Sequence, residues 1–216
     1  MTSRARPAVP PGRIYALADA EALGSTPLPE AVSALAGAGI GWIQVRAKRL
    51  SGSALYRALE GCCRALEGTG AALWVDDRAD LAALFPVAGV HVGQTDLPPA
   101  AVRCVVGPAA WIGQSTHHEV QCVEADADGA VDVVAVGPVF PTTGKEKPDP
   151  VVGLDFVRGV RILTTKLLVA IGGIGGHNLA SVLAMGADVV AVLGAVSGKD
   201  GAEIEAKARH LLAVAR

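Results

Sequence analysis

Asp77 and Asp96 each stand a few residues beyond a short apolar run, Ala72–Val75 and Gly89–Val92. Carboxylates are hard oxygen donors, and one or two of them with substrate phosphates are the usual way to hold Mg2+. Arg46 and Lys48 follow a third run, and Lys145 lies in a long loop after a fourth. Glycine-rich turns at Gly172–Gly176 and at Gly194-Ala195 follow two more. Glycine lets backbone N–H groups close on an anion, and a helix opening from such a turn adds its positive end. Two acids, several cations and two anion-binding turns point to a magnesium-bound polyphosphate, not to a sugar or a peptide. Ser115 and His117 add a hydroxyl and an imidazole beyond another run. No acid at a suitable spacing completes a hydrolase triad, so Ser115 reads as a hydrogen-bond donor to a ligand. The aspartates also admit a purely structural role, with Asp77 pairing to Arg78 and Asp96 capping the next helix. His117 could simply begin a helix, and His91 alternates with apolar neighbours and would point inward.

These groups need a frame that brings them to one rim. Short apolar runs alternate with helical patterns eight times. The strands are expected at 14–18, 41–45, 72–75, 89–92, 111–113, 132–136, 167–171 and 188–193. Helices are expected at 29–38, 51–67, 78–84, 98–104, 119–127, 153–162, 176–185 and 202–215. The second helix is the clearest: Ser51 or Ser53 can cap it, and Leu55, Leu59, Cys62, Cys63 and Leu66 line one face at helical spacing. Alternation predicts parallel strands with right-handed crossovers. Eight units in little over 200 residues predict one α/β domain, a (β/α)8 TIM barrel over residues 13–216, after a loose arm at 1–12. No Gly-x-Gly-x-x-Gly turn follows the first strand, which argues against a doubly wound sheet. Barrel enzymes work at the carboxyl ends of their strands, and the polar clusters above all fall there.

Composition narrows the class. The 216 residues are 51% hydrophobic, 19% charged and only 4% aromatic, with 26 glycines, so the core is mostly Ala, Val, Leu and Ile. That excludes a disordered chain. A net charge of −2 gives no electrostatic footprint for nucleic acid. The four cysteines, Cys62, Cys63, Cys104 and Cys122, form no Cys-x-x-Cys pair, which fits a reducing cytoplasm without zinc. No apolar stretch reaches the ~18 residues of a membrane span, and the first dozen residues lack the apolar block of a signal peptide. The expectation is a cytoplasmic enzyme of small-molecule substrates, acting on neither nucleic acid nor membrane; apolar barrel surfaces allow a homo-oligomer.

Six stretches carry a family resemblance. They are Ile43–Arg46, Asp77–Ala82, Gly89–Pro98, Ser115–His117, Gly137–Thr142 and Val169–Ile174. Together they resemble the thiamine phosphate synthase family, most specifically in Gly89–Pro98 and in Gly-Pro-Val-Phe-Pro-Thr at 137–142. The resemblance implies a barrel that couples a hydroxymethylpyrimidine diphosphate to a thiazole phosphate and releases diphosphate. It implies a dissociative reaction through a pyrimidine-stabilised carbocation. By position, Asp77 and Asp96 would ligate Mg2+. Gln44, Arg46, Lys48, Asp76 and Lys145 would surround the diphosphate, with Ser115 near the reacting end. Thr142, Gly173 and the Gly194 and Ala195 amides would hold the thiazole phosphate. Arg46, Ser115 and Lys145 would be the catalytic groups. Four positions depart from the family's pattern: Asp76 where Asn is common, Ala47 for Glu, Gly144 for Thr and Gly194 for Ser. A thiazole tautomerase, with His117 as proton shuttle, and a non-catalytic regulatory barrel that binds thiamine intermediates are the alternatives on the same frame.

Overall fold

The computed structural model of the chain describes residues 8–142 and 149–215. Eight parallel strands close into a barrel in chain order: β1 (Ile14–Asp19), β2 (Trp42–Arg46), β3 (Ala72–Asp76), β4 (Gly89–Val92), β5 (Trp111–Thr116), β6 (Val133–Val136), β7 (Leu167–Ile171) and β8 (Val189–Val192), which pairs back to β1. The helices outside are α1 (Leu28–Ala38), α2 (Gly52–Leu66), α3 (Ala79–Ala82), α4 (Pro99–Val106), α5 (Glu119–Ala127), α6 (Gly153–Leu163), α7 (Leu179–Ala184) and α8 (Gly201–Val214). This is the expected (β/α)8 fold.

Strand alternation sorts the core into two layers. A large cluster that includes Ile43, Val75, Val90, Ile112, Leu59 and Leu179 lies between sheet and helices. A smaller one, including Tyr15, Leu17, Trp42, Trp74, Val133, Ala135, Val169 and Ala191, fills the barrel itself. Tyr15, Trp42 and Trp74 pack ring on ring with centroids 5.5–5.7 Å apart. Three large rings in one layer need a small partner: a Cβ on Gly89 would lie 2.7 Å from the Trp74 ring. The segment expected to be a loose arm meets the barrel at Pro10, which is buried and accepts a 2.8 Å hydrogen bond from the Trp42 indole. Ser51 caps α2 by accepting from the Ala54 N–H at 3.3 Å, and Gly39 ends α1 at φ 103°. Among the described residues no helix is long and apolar enough to cross a membrane.

Two elements differ from expectation by three residues at one end. β5 runs to Thr116 and not to Gly113, because Gly113–Thr116 pair in register with Val133–Val136. Ser115 is thus a strand residue facing the interior, which fixes it more firmly than a loop would. The helix expected at 176–185 is only Leu179–Ala184. Asn178 takes the slack: its Oδ1 accepts from Gly175 N at 2.8 Å and its Nδ2 donates to the Gly173 carbonyl at 3.0 Å. The Gly172–Gly176 turn is therefore not the opening of a helix, and the expected contribution of a helix end to anion binding there falls away.

Candidate active site

At the carboxyl ends of the strands opens a cavity of about 730 Å³. Its floor is apolar, with Leu17, Ala135, Ile171 and Ala191. Six of the expected residues line it together: Arg46, Ser115, Thr142, Gly173, Gly194 and Ala195. They come from the ends of β2, β5, β6, β7 and β8, so only closure of the sheet makes them neighbours. Lys145 and Gly144 lie outside the described residues.

Beside the cavity sits a charged cluster on β1, β2 and β3. Lys48 contacts Asp77 directly and lies 3.3 Å from Asp76 Oδ2. Arg46 pairs with Asp19 through NH1 and lies 3.6 Å from Asp76 Oδ2 through Nε. Burial works against both cationic charges, but the acids outweigh it: Asp76 and Asp77 raise the Lys48 ammonium, and Asp19, Asp76 and Glu21 raise the Arg46 guanidinium. Asp76 is 10% exposed, and its Oδ2 makes ion pairs without a well-aligned hydrogen bond. Burial first, and Asp77 next, push its carboxyl up to about 6.

Asp77 and Asp96 are brought together across β3 and β4. Asp77 has a positive φ of 58°, and its N–H donates to the His91 carbonyl at 2.8 Å, which turns the side chain toward the next loop. Burial first, and Asp96 with it, push its carboxyl up and Lys48 pulls it down, leaving it above the ordinary carboxylate value. Asp96 Oδ2 accepts from Gly93 N at 2.8 Å, holding its own loop. The structural roles weighed from sequence do not form: Arg78 pairs with Asp80, not Asp77, and Asp96 is not the cap of α4, whose N-cap is Pro98. Among the described residues no group of three or more His, Cys, Asp and Glu is arranged to hold a metal ion. A mutually repelling pair of hard oxygen donors, beside a buried third carboxylate oxygen, does suit Mg2+ completed by ligand oxygens.

Gln44 is placed below the mouth. It is 3% exposed and donates to the Tyr15 hydroxyl at 2.8 Å, joining the aromatic plug to the polar layer above. His91 points inward, and its Nε2 lies 2.9 Å from the Ser115 hydroxyl. His117 does not begin α5: it lines the cavity, with Nδ1 2.6 Å from the Gly137 carbonyl and Nε2 3.4 Å from Asp149. Sequence reading missed Asp19. It is buried in a run of small apolar residues, and its only signal was a carboxylate at the carboxyl end of the first strand.

The chain is similar to known proteins of one family. A family model described as thiamine monophosphate synthase matches residues 14–196. The chain is 45% identical over 185 residues to a thiamine-phosphate synthase of Koribacter versatilis, covering 84% of the chain and 87% of the relative. It is 40% identical over 174 residues to one of Caldicellulosiruptor saccharolyticus, covering 79% of the chain and 77% of the relative. The solved thiamine phosphate pyrophosphorylase of Pyrococcus furiosus superposes with a TM-score of 0.82 at 28% identity, over 94% of this chain and 95% of that one.

Proposed function

The chain belongs to the thiamine monophosphate synthase family, a family of transferases, and from that premise we propose that it joins a hydroxymethylpyrimidine diphosphate to a thiazole phosphate in a Mg2+-dependent reaction. The bond from the pyrimidine methylene to the diphosphate oxygen breaks, and the oxygen keeps the electron pair. The thiazole nitrogen then gives its lone pair to the methylene carbon. Thiamine phosphate and diphosphate result, and no side-chain nucleophile or proton transfer is required.

One observation carries this reading: the Arg46 guanidinium, two hydroxyls and two glycine-rich turns from five strands converge on one cavity beside a carboxylate pair. Arg46 and Lys48 hold the diphosphate and stabilise the charge that builds on it as it leaves. Asp77 and Asp96 are the groups that would hold Mg2+, which when bound neutralises a departing polyphosphate. Ser115, fixed by His91, donates to the ligand near the reacting carbon. Thr142 and the backbone at Gly173, Gly194 and Ala195 take the thiazole phosphate. The apolar floor keeps water from the carbocation.

The purified protein, mixed with both substrates and Mg2+, is expected to yield thiamine phosphate and diphosphate in equal amounts, and none in EDTA. Conversion of the thiazole phosphate to a tautomer without coupling would instead favour proton transfer by the His117–Asp149 pair.

A further inference from the structure

Asp19 closes β1 with its side chain only 4% exposed, and both of its carboxylate oxygens are engaged. Oδ1 accepts from the N–H groups of Glu21 at 3.0 Å and Ala22 at 2.9 Å, and so folds the turn that leads from β1 toward α1. Oδ2 contacts Arg46 NH1. Asp19 and Arg46 are also register partners on adjacent strands, and the Ala20 N–H donates to the Arg46 carbonyl at 2.9 Å. The guanidinium is thus gripped at NH1 by Asp19, while Asp76 faces Nε from the other side at 3.6 Å. Glu21, at 3.9 Å and 37% exposed, is too far and too wet to do the same.

We infer that Asp19 is a positioning residue for the diphosphate: one oxygen sets the β1–α1 turn, and the other aims Arg46 into the cavity. A buried carboxylate is costly unless each oxygen is used, and here the division of labour is complete. The inference rests on the reading of Arg46 as a diphosphate ligand. It separates from a merely structural role because the two oxygens do different work. Asp19→Asn keeps an Oδ1 acceptor for the turn but puts an NH2 group against the Arg46 N–H, donor facing donor.

Binding of inorganic diphosphate with Mg2+ to the full-length protein, followed by calorimetry, is the test. Asp19→Asn is expected to weaken binding about tenfold, the scale of one lost charge-assisted hydrogen bond. KM for the pyrimidine diphosphate rises in step, while KM for the thiazole phosphate stays within about twofold. Asp19→Ser, which also keeps an acceptor for the turn, gives the same loss and serves if the first variant folds poorly. In an Arg46→Ala background Asp19→Asn costs nothing further. Wild-type affinity in both Asp19 variants, or an undiminished loss without Arg46, overturns the inference while Arg46→Ala remains impaired. Wild-type affinity in Arg46→Ala itself removes the diphosphate reading and the inference with it.

Discussion

Gly113 and His91 face each other as register partners on β5 and β4, and a Cβ on Gly113 would lie 2.5 Å from His91 Nδ1. The bare backbone at Gly113 is what lets the imidazole lie in the barrel and reach the Ser115 hydroxyl at 2.9 Å. Gly113→Ala is expected to displace the ring and lower kcat by about tenfold, the scale of one misaligned hydrogen bond. His91→Ala should then add nothing to it. Independent, multiplying losses would show that the slot and the hydroxyl are not coupled.

Asp77→Asn and Asp96→Asn should each cut synthesis by roughly a thousandfold, as loss of a metal-holding group does. Stability should move the other way. Asp96 disfavours the Asp77 charge, so Asp96→Asn relieves that repulsion and leaves Tm unchanged or higher. Mn2+ binding measured by electron paramagnetic resonance reports the metal without relying on turnover. Undiminished Mn2+ affinity in both variants would remove Asp77 and Asp96 from the metal.

Asp76 predicts a pH-dependent stability with an unusual sign. Its folded-state carboxyl, at about 6, is above the ordinary 3.8, so between those values the folded protein binds the extra proton. Stability is lost as pH rises from about 4 to 6, and the full penalty stands above 6. In EDTA, Asp76→Asn should be more stable than wild type at pH 8, by on the order of 2–3 kcal/mol. The gap should close near pH 4. Urea unfolding across this range checks it, and a gap that stays flat would mean Asp76 is charged throughout.

Two glycines at the phosphate-binding rim should respond differently to a methyl group. A Cβ on Gly173 would lie 2.5 Å from the Pro141 carbonyl, at a φ of 64° that favours glycine. Gly173→Ala is expected to lower Tm and raise KM for the thiazole phosphate by about tenfold or more, a cost of roughly 1–2 kcal/mol. A Cβ on Gly194 would meet nothing within 4 Å. Gly194→Ala should fold as wild type, and Gly194→Ser, with a hydroxyl facing the cavity rim, should tighten the thiazole phosphate. Equal damage at both glycines would contradict this difference in space.

The cysteines separate by burial. Burial, aided by Cys63, pushes the Cys62 thiol up to about 12, whereas Cys104 is exposed. In native protein at pH 8 a thiol reagent should label Cys104 at once and leave Cys62 untouched until unfolding. Prompt labelling of Cys62 would mean that α2 opens easily.

The alternation of apolar runs with helical patterns is local, so the barrel and all sixteen elements were legible from the chain alone, most with bounds within two residues. The charged residues after β2, β3 and β4 were legible for the same reason: strand ends in a parallel barrel point one way. Local pattern failed where pairing or side chains decide. β5 continues through polar Gln114, Ser115 and Thr116 because β6 offers it backbone partners, not because of its composition. The turn after β7 is held by Asn178 where helical periodicity extended α7 too far. The sequence by itself determined which groups reach the rim and that several would be charged. Only the tertiary structure decided their partners: Lys48 on Asp77, Arg46 between Asp19 and Asp76, Gln44 on Tyr15 and His91 on Ser115. Those pairings depend on register between strands 24 to 30 residues apart, and across β1 to β3 the Tyr15, Trp42 and Trp74 rings fill the barrel together, a volume that no single strand encodes.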